Sequence, residues 1–501
     1  MSQPTGKHVM GALALGTVLV SLDASALNVA LPSVQRDLDA TSANLQLIVV
    51  AYMIAGAACM LPIGAISDRV GRKPLYIAGL VSFTIGSALC AISWDVEVMI
   101  FARVIQGFGG AAISGLAIAI LTGNAERTSV PKIIATWTTI AIVASSSGPF
   151  VGGVLVSTFG WRSVFFVNVP LTILVTIVAI FSLKNDRKIQ TQRLKLRGGV
   201  LIGLALTSFT WAIMQMHEFG FTSLKALLPL LIAILILALL VFDQRTTEIP
   251  LVEWGSLKRN PIPVSLVLSS LLALALSGSL YQMTLFNQSV LGFSPTLAGT
   301  VTLTVSLAML ILAAPAARLM QTAGAALPVM ISMLIAAGAM LLLARLNPSS
   351  NLTFIIIGLL ILGIGLGVST PIMSAVAMQS AGGSAAGAVS GSLGLMSQVG
   401  AILGITVMGG LTSSVAVFEW SNGGGDPSLD SMVGVGNLDG VASQAGQAAR
   451  NLAANSYTSG VETTFIVGAV ILMVAALLAL AFLPKKPLES DLEIQATVPM
   501  L

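Results

Sequence analysis

Gly64-Ala65-Ile66-Ser67-Asp68-Arg69-Val70-Gly71-Arg72-Lys73 places four charged residues in ten between two long apolar runs, centred near residues 56 and 84, that contain none. A run of about 20 apolar residues is the length that crosses the hydrocarbon core as a helix, because every backbone polar group must be satisfied within the segment there. The stretch therefore reads as a connection at a membrane surface. Its glycines allow a tight turn and close helix approach, and Asp68 can cap a helix or pair with an arginine. Its basic residues sit where cytoplasmic charge is expected.

The rest of the chain extends this pattern. Of 501 residues, 55% are hydrophobic and 9% charged, with a mean hydropathy of +0.95, against about 25% charged in soluble domains. Fourteen apolar runs are centred near residues 19, 56, 84, 109, 145, 173, 207, 233, 275, 306, 336, 361, 398 and 472. Membrane strands would be half as long and alternate, so the fold class is an all-α membrane protein. With the N-terminus in the cytoplasm, 18 of the 24 Lys and Arg fall on that side, 5 outside, and Arg103 within a span, so both termini are expected inside. The first run continues to Val29 and is followed by Pro32, Arg36 and Asp37, which does not fit a cleavable signal. The pI of about 9.2 reports loop asymmetry, and no basic stripe with interleaved aromatics points to nucleic acid. Cys59 and Cys90 each lie in a span and read as packing residues.

The runs fall into six, two and six. Residues 1–183 read as one six-helix bundle. Residues 184–260 hold a basic loop, two additional central helices and a polar connector, and residues 261–501 hold a second six-helix bundle. An external segment at about 417–460, rich in Gly, Asn, Ser and Asp, is too polar to span. It is expected to be a flexible linker or, over Val441 to Ala454, a short helix on the outer surface.

Asp23 is the only acidic residue inside any of the fourteen runs. An intramembrane carboxylate is costly unless protonated, paired or wet, which makes Asp23 the first suspect for ion coupling. Arg103 in the fourth run needs a partner, and Asp23 is its sole acidic candidate; Arg103, Gln106 and Gly107 share a helical face. In the fifth run, Gly148-Pro149-Phe150-Val151-Gly152-Gly153 predicts a bent, closely packed helix. The later runs carry no carboxylate in the ninth to thirteenth. Instead Asn28, Gln106, Trp211, Gln215, Tyr281, Gln282, Phe286, Asn287 and Gln398 offer aromatic and amide groups suited to a large apolar or weakly polar guest. His8 and His217 stand apart, and no nucleophile–base pair, phosphate loop or metal cluster is present in the sequence pattern, so an enzyme is not expected.

Residues 64–73 resemble the signature loop of the major facilitator superfamily, Gly-x-Leu-x-Asp-Arg-x-Gly-Arg-Lys, departing from it at Ile66. In that likeness Gly64, Asp68, Arg69, Gly71 and Arg72 belong to a conformational motif. The Arg103 segment is similar to the superfamily's span-four motif, whose arginine is assigned to proton transfer. Gly148, Pro149, Gly152 and Gly153 match its antiporter motif. Leu22 to Pro32 and Trp161 to Pro170 resemble segments of the fourteen-span drug:proton antiporter family. The resemblance implies a major facilitator fold in a bacterial-type cytoplasmic membrane, working as a monomer by alternating access. It implies export of lipophilic, monocationic drugs, dyes or antiseptics, driven by the proton gradient with no other cofactor and no metal. The missing second-half carboxylates favour an alternative, the exporter or flippase of an endogenous neutral or lipid-like compound.

Overall fold

The computed structural model describes residues 7–123, 130–183, 197–219, 223–246, 261–381 and 386–486. The basic loop after the sixth run, His217's side chain and the polar connector before residue 261 lie outside the described residues or side chains. The first half contains α1 (Lys7–Leu38), α2 (Ser42–Val70), α3 (Arg72–Ala91), α4 (Val96–Gly123), α5 (Val130–Phe159), the single turn α6 (Ser163–Phe166) and α7 (Asn168–Ser182). The hairpin α8 (Arg197–Phe219) and α9 (Leu224–Thr246) follows. The second half contains α10 (Ile262–Ser289), α11 (Pro295–Ala323), α12 (Ala326–Leu343), α13 (Leu352–Ala381), α14 (Ala386–Leu403), a π turn (Gly404–Met408), α15 (Gly409–Asn422), α16 (Asp430–Gly434) and α17 (Leu438–Phe482). A helix thus forms at each apolar run. Among the described residues twelve are long and apolar enough to cross a membrane, and Val143–Phe159 and Arg197–Ile213 are shorter apolar stretches.

The two halves repeat one packing plan. In the first, α1 packs on α5 and α7, α4 on α2 and α3, and α3 on α7. In the second, α10 packs on α14 and α17, α13 on α11 and α12, and α12 on α17. The halves meet through α5 with α11, α2 with α14, and α1 with α10, and the first two contacts are equivalent when the halves are interchanged. The α8–α9 hairpin leans on α2, where Gly199 admits Ala58 and Pro62. Leu228, Leu231, Leu235 and Leu239 on α9 are exposed, as a lipid-facing helix requires.

Residues 64–73 do more than mark a turn. Gly71 links α2 to α3 at φ 99°, a conformation a Cβ disfavours. Arg72 Nη1 donates to Ala119 O at 2.6 Å near the end of α4, and Lys73 Nζ to Ile180 O and Leu183 O, both at 2.7 Å, at the end of α7. Lys73 so placed satisfies carbonyls left unpaired at the C-terminus of α7. Arg69 is exposed, and the side chain of Asp68 and the surroundings of Gly64 lie outside those described.

The external segment takes the helical alternative over Val441 to Ala454 and not the flexible linker. Residues 417–460 are folded: α15 runs to Asn422, a 3-10 turn spans Pro427–Leu429, α16 follows, and α17 begins at Leu438 and breaks at Gly446, φ 84°. Six of its apolar residues, Trp420, Leu429, Val433, Leu438, Val441 and Tyr457, are buried, while Phe418 is exposed, and Trp420 Nε1 donates to Asp426 O at 3.0 Å. Average polarity hid them. The cap is held because those six residues, from three helices and the 3-10 turn, join the main buried core.

Candidate functional site

Asp23 lies midway along α1 with its side chain fully buried. The charge is balanced by α4, where the three-residue spacing of Arg103 and Gln106 turns both side chains to the same place. Arg103 Nη1 donates to Asp23 Oδ2 at 2.7 Å and to Gln106 Oε1 at 2.5 Å. Gln106 Nε2 donates to Asp23 Oδ1 at 2.9 Å and to Ser87 Oγ of α3 at 2.9 Å. From α7, Asn168 Nδ2 donates to the same Oδ1 at 2.7 Å. Pro170 in the first turn of α7 suits a helix start and leaves Asn168 at the end that faces α1. Arg103 Nε reaches Ile48 O of α2 at 3.3 Å, and its guanidinium lies 4.3 Å over the Tyr52 ring.

The geometry dictates a chemistry. Three donors address Asp23, and none of these partners accepts a proton from it in the observed arrangement. A carboxylate, an acceptor at both oxygens, fills that role with no O–H of its own to place. Each charge-assisted bond is worth about 1.5–3 kcal/mol, enough to bias helix packing.

The Gly148–Gly153 segment supplies the second element. A Cβ on Gly152 would lie 2.8 Å from the Cα, Cβ and O of Ala26 on α1, and one on Gly153 would lie 2.5 Å from Pro295 O and 2.8 Å from Thr296 Cα on α11. Gly148 faces Ser25 of α1, and Pro149 O meets Gly299 of α11. Thr296 Oγ1 donates to Gly153 O at 3.1 Å and to Ser157 Oγ at 2.8 Å. This segment thus closes the halves at the end away from the termini. Gln288 Nε2 on α10 adds a bond to Val29 O on α1, at 3.0 Å.

The remaining expected residues do not form one cluster. Gln106 is a partner of Asp23 and fully buried. Gln282 donates to Met408 O at 2.9 Å and to Thr412 Oγ1, so it braces the π turn, whose widened ring frees a carbonyl. Phe286 is fully buried, and Trp211 is 48% exposed on α8, where Gln215 is half-buried. Gln398 Nε2 reaches Met53 O at 3.4 Å and joins α14 to α2. Asn28, Tyr281 and Asn287 lie on the helices that join the halves. Asn168, Tyr52 and Ser87 were missed as site residues. For Asn168 a signal existed, an amide two residues before Pro170 in an otherwise apolar run.

Residues 13–405 match the sequence profile of the Major Facilitator Superfamily. The chain is 28% identical over 405 residues to the multidrug resistance protein Stp of Mycobacterium tuberculosis, covering 80% of this chain and 75% of that protein. It is 27% identical over 489 residues to the tetracenomycin C resistance and export protein of Streptomyces glaucescens, covering 94% and 90%. It is 28% identical over 407 residues to the methylenomycin A resistance protein of Bacillus subtilis, covering 81% and 87%. Among solved structures, an inward-facing, unoccupied bacterial homologue of the human lysosomal transporter Spinster superposes with a TM-score of 0.70 at 16% identity, over 96% of this chain and 97% of that one.

Proposed function

Because the chain belongs to the major facilitator superfamily, and is a membrane transporter of the drug-efflux type rather than an enzyme, we propose that it is a proton-coupled antiporter that exports lipophilic small molecules. In this reading it is one of the fourteen-span drug:proton antiporters, with α5 and α8 crossing the membrane alongside the twelve longer helices. It sits in a bacterial-type cytoplasmic membrane as a monomer with both termini inside, so the closed end faces outward. The proton gradient is the only energy source and no further cofactor is involved.

One observation carries the proposal: Asp23 is held by donors alone, from α4 and α7. Protonation loosens α1 from those helices, and α1 is also the helix against which Gly148 and Gly152 pack. A titrating carboxylate is thereby joined to the outer closure through a single rigid element. This differs from a cation and a proton competing for one exposed negative site, since the Asp23 side chain is 0% exposed. Coupling in this protein runs through α1 as a difference in packing between protonated and ionised states.

The test is transport in sealed vesicles under an imposed pH gradient with a panel of cationic and uncharged lipophilic dyes. Asp23→Asn should insert and fold, because the amide preserves shape, yet lose gradient-driven export. Gradient-driven export by Asp23→Asn would remove the assignment. The second reading, an exporter or flippase of an uncharged or lipid-like compound, uses the same proton chemistry and is favoured by the walling-off of Asp23.

A further inference from the structure

The Arg103 segment carries glycines at 107, 109 and 110. A Cβ on Gly109 would lie 2.5 Å from Phe83 N, so that glycine serves the contact between α3 and α4. The other two face a single residue of α2. A Cβ on Gly107 would run into Tyr52 O, and one on Gly110 into Tyr52 Oη, with Tyr52 Cζ 3.0 Å away. These bare positions let Tyr52 lie against α4. Its ring face then meets the Arg103 guanidinium, whose Cζ is 4.3 Å from the ring centre.

The ring matters because of what protonation of Asp23 leaves behind. Arg103 and Asp23 form a fully buried ion pair. The other acids of α1 to α7, Asp37, Asp68 and Glu97, stand in the first or last turn of their helices, so no second carboxylate is at hand to replace Asp23. Once Asp23 is neutral, the guanidinium has no countercharge. The contacts that do not depend on Asp23 are Gln106 Oε1 at 2.5 Å, Ile48 O at 3.3 Å, the Tyr52 face, and the Phe165 ring at 5.9 Å. A buried charge stripped of its partner is strongly destabilising. The negative face of an aromatic ring offsets part of that cost, most where water is excluded. Besides the pair, the titratable groups within its electrostatic reach are Tyr52 and, from α3, Cys90. Phe165 of α6 and Asn168 of α7 face it without titrating. Beyond Lys132, α5 has no titratable residue, and Tyr281 of α10 packs at Gly409 instead.

We infer that Tyr52 is a positioning residue for coupling: its ring holds the Arg103 guanidinium in the site while Asp23 is protonated, and Gly107 and Gly110 are the positions that admit the ring. The inference rests on the proton-coupled reading and adds to it the group that makes the protonated state attainable. The ring face carries the role, since it is the ring and not the hydroxyl that meets the guanidinium. Its stabilisation counts for more when the carboxylate is neutral than when the carboxylate already balances the cation. Loss of the ring therefore makes protonation of Asp23 demand a more acid medium.

The experiment uses the full chain in lipid nanodiscs and infrared difference spectroscopy, with the protonated-carboxyl band of Asp23 identified by its absence in Asp23→Asn. The band is titrated in each variant. Tyr52→Phe keeps the ring and should titrate with the wild-type midpoint. Tyr52→Leu should move the midpoint to the acid side by about one pH unit, a tenfold change in proton affinity on the scale of a desolvated cation–π contact. Gly110→Ala leaves Tyr52 itself unaltered but drives its hydroxyl end off α4, and should shift the midpoint in the same direction. Combining Gly110→Ala with Tyr52→Phe removes the clashing oxygen and should restore most of the wild-type value, an outcome that separates ring placement from general damage and decides the matter if Tyr52→Leu does not fold. A midpoint that ignores both Tyr52→Leu and Gly110→Ala overturns the inference, as does a shift in Tyr52→Phe equal to that in Tyr52→Leu. Absence of an Asp23 band at every pH removes the proton-coupled reading together with this inference, whereas a titrating band indifferent to position 52 removes this inference alone.

Discussion

Gly153→Ala is the smallest change that wedges the two halves apart. The added Cβ would lie 2.5 Å from Pro295 O and 2.8 Å from Thr296 Cα, both backbone atoms that no rotamer change can move away. Ordinary contact begins at 3.4 Å, so α5 and α11 must separate by about 0.9 Å, and overpacking of this kind typically costs 1–3 kcal/mol. The separation also stretches the 3.1 Å bond from Thr296 Oγ1 to Gly153 O. The cost falls only on the state in which this end is shut. Two kcal/mol against that state changes its ratio to the open state by roughly 30-fold. The population can be read by pulsed electron spin resonance between labels at Phe159 and Phe418, exposed positions on the two halves at this end, with Cys59 and Cys90 replaced by alanine. The long-distance population should rise in Gly153→Ala and gradient-driven export should fall at least in proportion, with protein yield retained. A distance distribution identical to that of the parent, together with full export, would falsify the role of this contact in closure.

Three further outcomes follow from particular contacts. Arg103→Lys keeps the charge but cannot hold Asp23, Gln106 and Ile48 O at once or lie flat on Tyr52; export should drop about tenfold or more, and wild-type rates would show that guanidinium geometry is unimportant. Asn168→Leu removes one of two donors on Asp23 Oδ1 and should destabilise the fold by about 1–3 kcal/mol, seen as a lower melting temperature; an unchanged melting curve would rule out the bond. In the cap, burial of its carboxyl and then the neighbouring Asp426 carboxylate hold Asp430 above the ordinary carboxylate range. A raised folded value favours the fold below the ordinary range and withdraws that support as pH rises through the raised value. Asp430→Asn should therefore raise the melting temperature at neutral pH and leave it unchanged well below the carboxylate range; equal effects at both would refute the assignment.

Some of this was fixed by the residues alone. Helical class followed from run length, because a backbone in hydrocarbon can satisfy itself over about 20 residues only as a helix. The pairing of Asp23 with Arg103 followed from scarcity: with one acid and one base within the runs, the cost of leaving either unpaired decided the partner before any distance was known. Close packing at Gly152 and Gly153 was likewise legible from residue size.

What the chain could not announce was direction. In a soluble helix the polar face marks the outside, but here lipid-facing and protein-facing sides are both apolar, so periodicity does not say which side of α1 or α10 meets the other half. Gln106 and Gln282 looked like cavity residues because amides in apolar runs need partners, and only the packing showed those partners to be Asp23 and the π-turn carbonyl of Met408. Asn168 joined the site from 145 residues away in sequence. The cap formed from six apolar residues scattered through a polar segment, a convergence that composition averages away. The sequence determined which charges must meet; tertiary structure decided which face of each helix was left open, because in a membrane burial is set by neighbouring helices and not by water.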